Sequence, residues 1–345
     1  MTVTDAPASA LLQEIKRLAR VTLCDLPSAL QHAPRFSAQV GVEVWLKRDD
    51  LLGPAFGGNK VRKLELLLGD AKAQGADCVI TCGAAQSNHA RLTAACARLV
   101  GLEPFLVLRS IEAAPVQGNL LLDYLLGANV QIEAVGRTSE LQPVMETLAA
   151  QLRAEGRRPY VITVGGSTPL GAAAYAEALM ELDEQARNLK LAPTTVFHAT
   201  SSGGTQAGMA VGATALAAGG RAWNVIGVDV DGDPHEVRGT VVELARETGR
   251  FLTAGGAPVL DAEPHVNVLD GYAGAGYGLV SDDGRAAIRL LAETEGVFVD
   301  PVYAGKALAG LIGEARAGRL TRSSNVVFWH TGGAPALFAY ADTLR

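Results

Sequence analysis

Phe56-Gly57-Gly58-Asn59-Lys60-Val61-Arg62-Lys63-Leu64-Glu65 carries more of this chain's organisation than any other stretch. Two glycines and an asparagine precede a run in which Val61, Leu64, Leu67, Leu68 and Ala71 recur at helical spacing. Asn59 is a good N-cap residue for that helix. Lys60 and Lys63 then project from the same side of its first turn. Two cations at the positive end of a helix dipole are unfavourable unless an anion joins them, and a phosphate is one such anion. A solvated basic helix start is the other reading, and this stretch alone does not choose between them.

On either side of this helix, short apolar runs alternate with helical ones. Strands are predicted over 78–82, 104–108, 130–134, 160–164, 195–200, 222–230, 297–300 and 325–330. Helices are predicted over 87–100, 118–126, 138–155, 170–189, 204–218, 234–247, 283–295, 304–317 and 334–343. That alternation implies an α/β chain with parallel sheets covered on both faces. No fixed-period repeat or low-complexity linker marks a domain boundary.

Ligands of open α/β sheets bind beyond the C-terminal strand ends, so four strand-to-helix junctions hold the candidate residues. Gly83-Ala84-Ala85-Gln86-Ser87-Asn88-His89 opens a helix whose free N–H groups suit a carboxylate, although Ser87 or Asn88 as a plain cap explains it equally. Ser201-Ser202-Gly203-Gly204-Thr205 lets backbone approach a phosphate, with a tight packing turn as the alternative. Asp300-Pro301-Val302-Tyr303 sets Tyr303 before a helix, and Tyr277 lies upstream in Gly276-Tyr277-Gly278. Either phenol can contact substrate or transfer a proton, or serve as a half-buried anchor. His330-Thr331-Gly332-Gly333 places a hydroxyl at a strand end, and His330 has no triad partner at a known spacing.

The 345 residues are 48% hydrophobic and 19% charged, as in a soluble globular protein of one large or two smaller domains. A net charge of -6 gives no electrostatic case for nucleic acid or an anionic membrane. Residues 1–10 read as a polar tail, with no signal peptide and no membrane span. Cys78 and Cys82 fall on one strand face, with Cys96 in the next helix and Cys24 far off. They read as buried free thiols rather than a metal site, consistent with a reducing cytoplasm.

Seven segments, taken in order, resemble the fold type II family of pyridoxal-phosphate enzymes, in the branch of D-cysteine desulfhydrase and 1-aminocyclopropane-1-carboxylate deaminase. They are W-L-K-R-D-D at 45–50, G-G-N-K-V-R-K-L-E at 57–65, Q-S-N-H-A-R at 86–91, V-G-G-S-T-P-L-G at 164–171, S-G-G-T-Q-A-G at 202–208, D-P-V-Y at 300–303 and H-T-G-G at 330–333. The resemblance implies two open, twisted, parallel-rich sheets flanked by helices, a tryptophan synthase β-like fold. It also implies a large domain over 1–62 and 166–345, a small domain over 63–165, and a homodimer. Lys60 would bind pyridoxal 5'-phosphate as a Schiff base and, with Ser87, is a candidate base. Lys63 and the backbone of Ser202, Gly203, Gly204 and Thr205 would hold the phosphate. Asn88 would bond the phenolic oxygen of the cofactor, and Thr331 its ring nitrogen. Ser87 and His89 would line the carboxylate pocket, Ser167 would add a carboxylate contact, and Tyr277 and Tyr303 would face the substrate.

The cyclopropane deaminases resembled here carry glutamate, leucine and glutamine where this chain has Ala304, Thr331 and His89. A hydroxyl at the ring nitrogen gives a weaker electron sink than a carboxylate. That favours elimination of a good leaving group, as from D-cysteine to pyruvate, hydrogen sulfide and ammonia. The desulfhydrases usually have a small hydroxyl residue at the position of Ala304. The rivals are deamination of the cyclopropane amino acid, sulfite release from L-cysteate, β-replacement and D-serine dehydration. A non-catalytic cofactor carrier is more remote. A nucleotide-binding protein ranks last, because neither nucleotide motif is present.

Overall fold

The computed structural model describes residues 6–111, 114–191, 195–257, 263–321 and 324–345. Within them, strands β1 (Leu30–His32), β2 (Glu43–Arg48), β7 (Thr195–Thr200), β8 (Asn224–Asp229), β9 (Asn267–Leu269) and β10 (Asn325–His330) form one sheet, in the order β1-β2-β10-β7-β8-β9. Strands β3 (Cys78–Ala84), β4 (Glu103–Arg109), β5 (Asn129–Glu133) and β6 (Pro159–Ile162) form a second, in the order β5-β4-β3-β6. Every pairing is parallel except β1 with β2. The expected small domain, 63–165, takes in the whole second sheet, and its first residue lies inside the first turn of α3 (Lys60–Ala73).

Burial on both faces explains the apolar runs. Along β10, Val327 and Trp329 enter one core while Val326 and Phe328 enter another, as a period of two demands. Along β3, Cys78, Ile80 and Cys82 face Val107 and Met145, and Val79 faces Leu64 and Leu68 of α3. All four cysteines are free thiols, three of them buried.

Several elements depart from expectation. The tail expected over 1–10 becomes helical from Ala6 in α1 (Ala6–Arg17), whose Leu11 and Ile15 are buried; residues 1–5 lie outside the described residues. Segment 297–300 is no strand. Val297 and Val299 fill the core, but the segment pairs with no strand, and the Phe298 carbonyl accepts from His330 Nε2 instead. The short or charged strands β1, β2 and β9 gave no apolar run, and α2 (Pro34–Val40) is only seven residues long. Helix α9 (Pro234–Gly255) runs past the expected end at 247 because Leu252 still reaches the core. The helix expected over 334–343 breaks into Ala336–Ala339 and Ala341–Leu344. No helix among the described residues is long and apolar enough to cross a membrane.

The first turn of α3 is bolted to the larger sheet through Asp49. This fully buried carboxylate accepts from Ser28 Oγ at 2.8 Å, Tyr175 Oη at 2.7 Å, Trp329 Nε1 at 2.8 Å and the Arg62 guanidinium. Burial pushes its pKa up, but Arg62, Lys47 and Tyr175 outweigh that and hold it below the usual carboxylate range.

Candidate active site

Two loops place Lys60. Residues Ala55, Phe56, Gly57 and Gly58 all have positive φ, and Gly58 pairs across an antiparallel bridge with Gly332. A side chain at Gly332 would lie 2.8 Å from the Gly58 Cα, so only glycines allow the two turns to meet. Asn59 N donates to Thr331 O at 3.0 Å, which fixes Lys60 beside Thr331. The Arg91 guanidinium, on the opposite side, donates to Gly57 O at 3.2 and 3.3 Å. Asn59 occupies the N-cap position of α3 but its side chain does not cap; its amide donates instead to Thr205 Oγ1 at 3.1 Å.

Lys60, Ser87, Asn88, His89, Ser167, Ser202, Gly203, Thr205, Tyr277, Tyr303 and Thr331 line one cleft of about 790 Å³ between the C-terminal strand ends of the two sheets. Lys63 and Gly204 stand just behind its wall: Lys63 Nζ donates to Gly165 O at 3.1 Å, and a Cβ at Gly204 would come within 2.7 Å of that nitrogen. The bend at Gly203, φ +79, leads into α8 (Gly204–Ala218) with no cap from the N-cap residue's side chain, and sets the start of that helix beside Lys63. Ser167 Oγ donates to Ser202 Oγ at 2.9 Å and accepts from Gly204 N at 3.3 Å.

Ser87 caps α4 (Asn88–Leu99), accepting from Ala90 N at 3.2 Å, and also lines the cleft, so its two readings are compatible. Asn88 Oδ1 accepts from Asn119 Nδ2 at 2.9 Å, which turns the Asn88 amide nitrogen into the outward donor. Thr81 gives its hydroxyl proton to Ile162 O at 2.8 Å and so accepts from His89 Nε2 at 2.9 Å. His89 Nδ1 is then a bare acceptor without a partner among the described residues. Burial first, then Lys60 and Lys63, hold the His89 pKa well below its usual value, while the Thr163 carbonyl opposes them; the ring is neutral.

Asp300 presents Tyr303. Its carboxylate accepts from the N–H groups of Val302, Tyr303 and Ala304 at 2.9–3.0 Å, closing the turn into α11 (Ala304–Arg316). Gly333, φ +104, leaves room for that carboxylate. Tyr303 and Tyr277 share a hydroxyl–hydroxyl bond, with ring centroids 5.8 Å apart and an edge-on angle of 71°. Burial raises Tyr277 to about 12 and, with Tyr277 beside it, lifts Tyr303 well above the usual phenol range. His330 donates from Nε2 to Phe298 O at 2.9 Å and accepts at Nδ1 from Gly332 N at 3.2 Å.

Sequence reasoning missed Arg109, Thr138 and Asp231, which also line the cleft, and Asn119 and Arg91 behind it. Asp231 is raised to about 6 by burial.

The lysine pair says what the cleft holds. Burial pushes Lys60 down to about 8, and burial together with Lys60 holds Lys63 well below the usual lysine range; no carboxylate counters either shift. Two amines so placed, at an open helix N-terminus with glycines in its bend, fit a phosphate-bearing aldehyde. The chain belongs to the pyridoxal-phosphate dependent enzyme family, whose model matches residues 21–332. Its cofactor is pyridoxal phosphate and its fold is the type II fold of these enzymes. It is 41% identical over 335 residues to the D-cysteine desulfhydrase of Klebsiella pneumoniae, covering 95% of this chain and 98% of that one. It is 40% identical over 330 residues to a Pyrococcus abyssi protein provisionally named 1-aminocyclopropane-1-carboxylate deaminase, covering 96% of each. Among solved structures, an ACC deaminase homologue matches with a TM-score of 0.89 at 35% identity, covering 97% of this chain and 98% of that one. Threonine deaminase isoform 2 of Solanum lycopersicum shares the fold, with a TM-score of 0.66 at 18% identity over 94% of this chain and 84% of that one.

Proposed function

We propose that this enzyme eliminates the β-substituent of a small amino acid, and that its substrate is D-cysteine, converted with water to pyruvate, ammonia and hydrogen sulfide. The observation that carries this choice is at the β10 end of the cleft, which Thr331 lines and behind which Ala304 is buried; in this reading that end would meet the ring nitrogen. The carboxylate of that turn, Asp300, already accepts three N–H bonds. A neutral hydroxyl there suits loss of a good leaving group such as thiol.

In this reading Lys60 binds the cofactor aldehyde, and Lys63 with the Gly203–Gly204 bend holds its phosphate. Ser167, bonded to Ser202 and Gly204, joins that phosphate wall rather than the carboxylate pocket. Asn88, oriented by Asn119, donates to the phenolic oxygen, and Thr331 meets the ring nitrogen. When bound, the cofactor supplies a sink for the charge left at Cα as its proton departs. The first N–H groups of α4 and the Ser87 hydroxyl bind the substrate carboxylate, with neutral His89 as the wall beside them. An amine near 8 gains and loses a proton close to neutral pH, so Lys60 is the leading base and Ser87 the second. The Tyr277–Tyr303 pair faces the β-substituent and has protons to give to the departing sulfur.

The test is keto acid release from D-cysteine, L-cysteine, L-cysteate, D-serine and 1-aminocyclopropane-1-carboxylate. Pyruvate and sulfide from D-cysteine foremost are expected; a clear preference for the cyclopropane amino acid or for L-cysteate contradicts the assignment. Thr331→Glu should shift the resting cofactor spectrum and Thr331→Ala should slow turnover; no change in either removes Thr331 from the ring nitrogen. We also read the protein as a cytoplasmic homodimer. Free buried thiols and the exposed apolar Leu51 and Phe56 support this, and light scattering in solution checks the dimer.

A further inference from the structure

Tyr277 sits in a loop without regular structure, between β9 and the helix Asp282–Glu295. Its place in the cleft therefore depends on whatever holds that loop. One clamp is at the backbone: Lys306 Nζ, fully buried, donates to Ala273 O at 2.7 Å and Gly276 O at 2.8 Å. The other is at the ring. Arg109, the last residue of β4 in the four-stranded sheet, lays its guanidinium 5.6 Å from the centre of the Tyr277 ring. That guanidinium is itself fixed, with Nη1 donating to Gly136 O at 2.7 Å and Nε to Thr138 Oγ1 at 3.1 Å, both in the segment after β5.

The contact joins the two halves of the cleft. Arg109, Gly136 and Thr138 belong to the side built on the smaller sheet, and Tyr277 and Tyr303 to the side built on the larger one. We propose that Arg109 is a positioning residue for the reaction: lying over the Tyr277 ring across the cleft, it holds that phenol against Tyr303, so that the pair is aligned only when the two walls stand at this separation. This rests on the reading of Tyr277 as substrate-facing. A guanidinium suits the role because its cation can lie over the ring while its N–H groups donate to the Gly136 and Thr138 oxygens. Asp231 and Tyr340 act electrostatically on the same phenol from other elements, and both raise its pKa where Arg109 lowers it.

The experiment uses the cofactor-loaded enzyme with the best substrate of the panel, in Arg109→Ala, Arg109→Lys, Thr138→Val, Tyr277→Ala and the Arg109→Ala/Tyr277→Ala double variant. Losing the cation–ring contact should lower kcat roughly tenfold in Arg109→Ala, with the resting cofactor spectrum unchanged. Arg109→Lys and Thr138→Val should lose less, in the same direction. The double variant should be no slower than Tyr277→Ala, since Arg109 acts only through that ring. In the cofactor-free protein, amide exchange over 271–280 should quicken in Arg109→Ala. Undiminished kcat in all three Arg109 and Thr138 single variants while Tyr277→Ala is impaired overturns the inference and leaves the proposed reaction standing. Multiplying losses in the double variant, or unchanged exchange over 271–280, also overturn it. Full activity in Tyr277→Ala removes the substrate-facing role on which it rests. If Arg109→Ala does not fold, Thr138→Val and Arg109→Lys decide by the same criteria.

Discussion

An amine taken out of water and given no carboxylate prefers to shed its proton, and Lys60 and Lys63 are a pair of such amines. The consequence for the cofactor-free protein has a definite sign. Lys60 titrates near 8 when folded against 10.5 as a free side chain, so between those values the unfolded chain binds more protons. Stability should therefore rise as pH climbs through that window, and the cost of charging the amine is fully present below it. At neutral pH, inorganic phosphate should raise the melting temperature of the cofactor-free protein, and Lys63→Met should abolish the gain. A flat response to phosphate would mean that no anion site exists there. One residue behind the wall gives a second prediction. Asn119→Ala frees the Asn88 amide and leaves it unbonded, so it should cost about 1–3 kcal/mol of stability and weaken cofactor binding; titration with cofactor checks it. Lys60, Lys63, Asn88 and Thr331 were legible because short motifs hold them at strand ends and helix starts. Arg109 ends β4 and Asp231 follows β8, both at carboxyl strand ends, yet nothing local distinguishes an arginine aimed across a cleft from one in solvent. Asn119 and Arg91 act on residues far away in the chain, and no spacing announces that.

The turns, more than the helices, bring the chemistry together. Gly58 and Gly332 form a one-rung bridge between the loop before α3 and the loop after β10. Gly332 has φ +96 and no room for a Cβ against Gly58. Gly332→Ala should therefore cost about 1–3 kcal/mol, from backbone strain of the kind stored at functional sites. It should also weaken cofactor binding, because Thr331 and Lys60 would separate. Denaturant unfolding and cofactor titration together check this, and unaltered affinity would show that the bridge does not set the site. The buried parallel strands and their helices were readable from apolar runs and periodicity. Strand β2 was not, since Glu43, Lys47 and Arg48 break its pattern. Lys47 is fully buried, and there it pairs with Glu181 and donates to Ser28 O at 2.8 Å, while burial holds its pKa below the usual lysine range. Segment 297–300 erred the other way, with strand-like residues and no strand to pair with.

At the scale of the whole molecule, Asp49 ties the larger sheet to the helix that carries both lysines. Asp49→Ala takes from the buried Arg62 one of its two carboxylates, leaving it Glu181, and removes the carboxylate acceptor of Tyr175 and Trp329. It should destabilise the protein by about 3–5 kcal/mol, read as a fall in the urea midpoint. A loss under about 1 kcal/mol would show the network to be dispensable. The general architecture, parallel sheets with a site at their carboxyl ends, followed from strand–helix alternation; the packing of the two sheets around one cleft did not, because no linker or composition shift marks it. All of this converges on a single covalent attachment. Borohydride reduction of the cofactor-loaded enzyme, followed by peptide mapping, should place the cofactor's mass on Lys60 and on no other lysine. Label on Lys63 or Lys47, or none at all, would contradict the account.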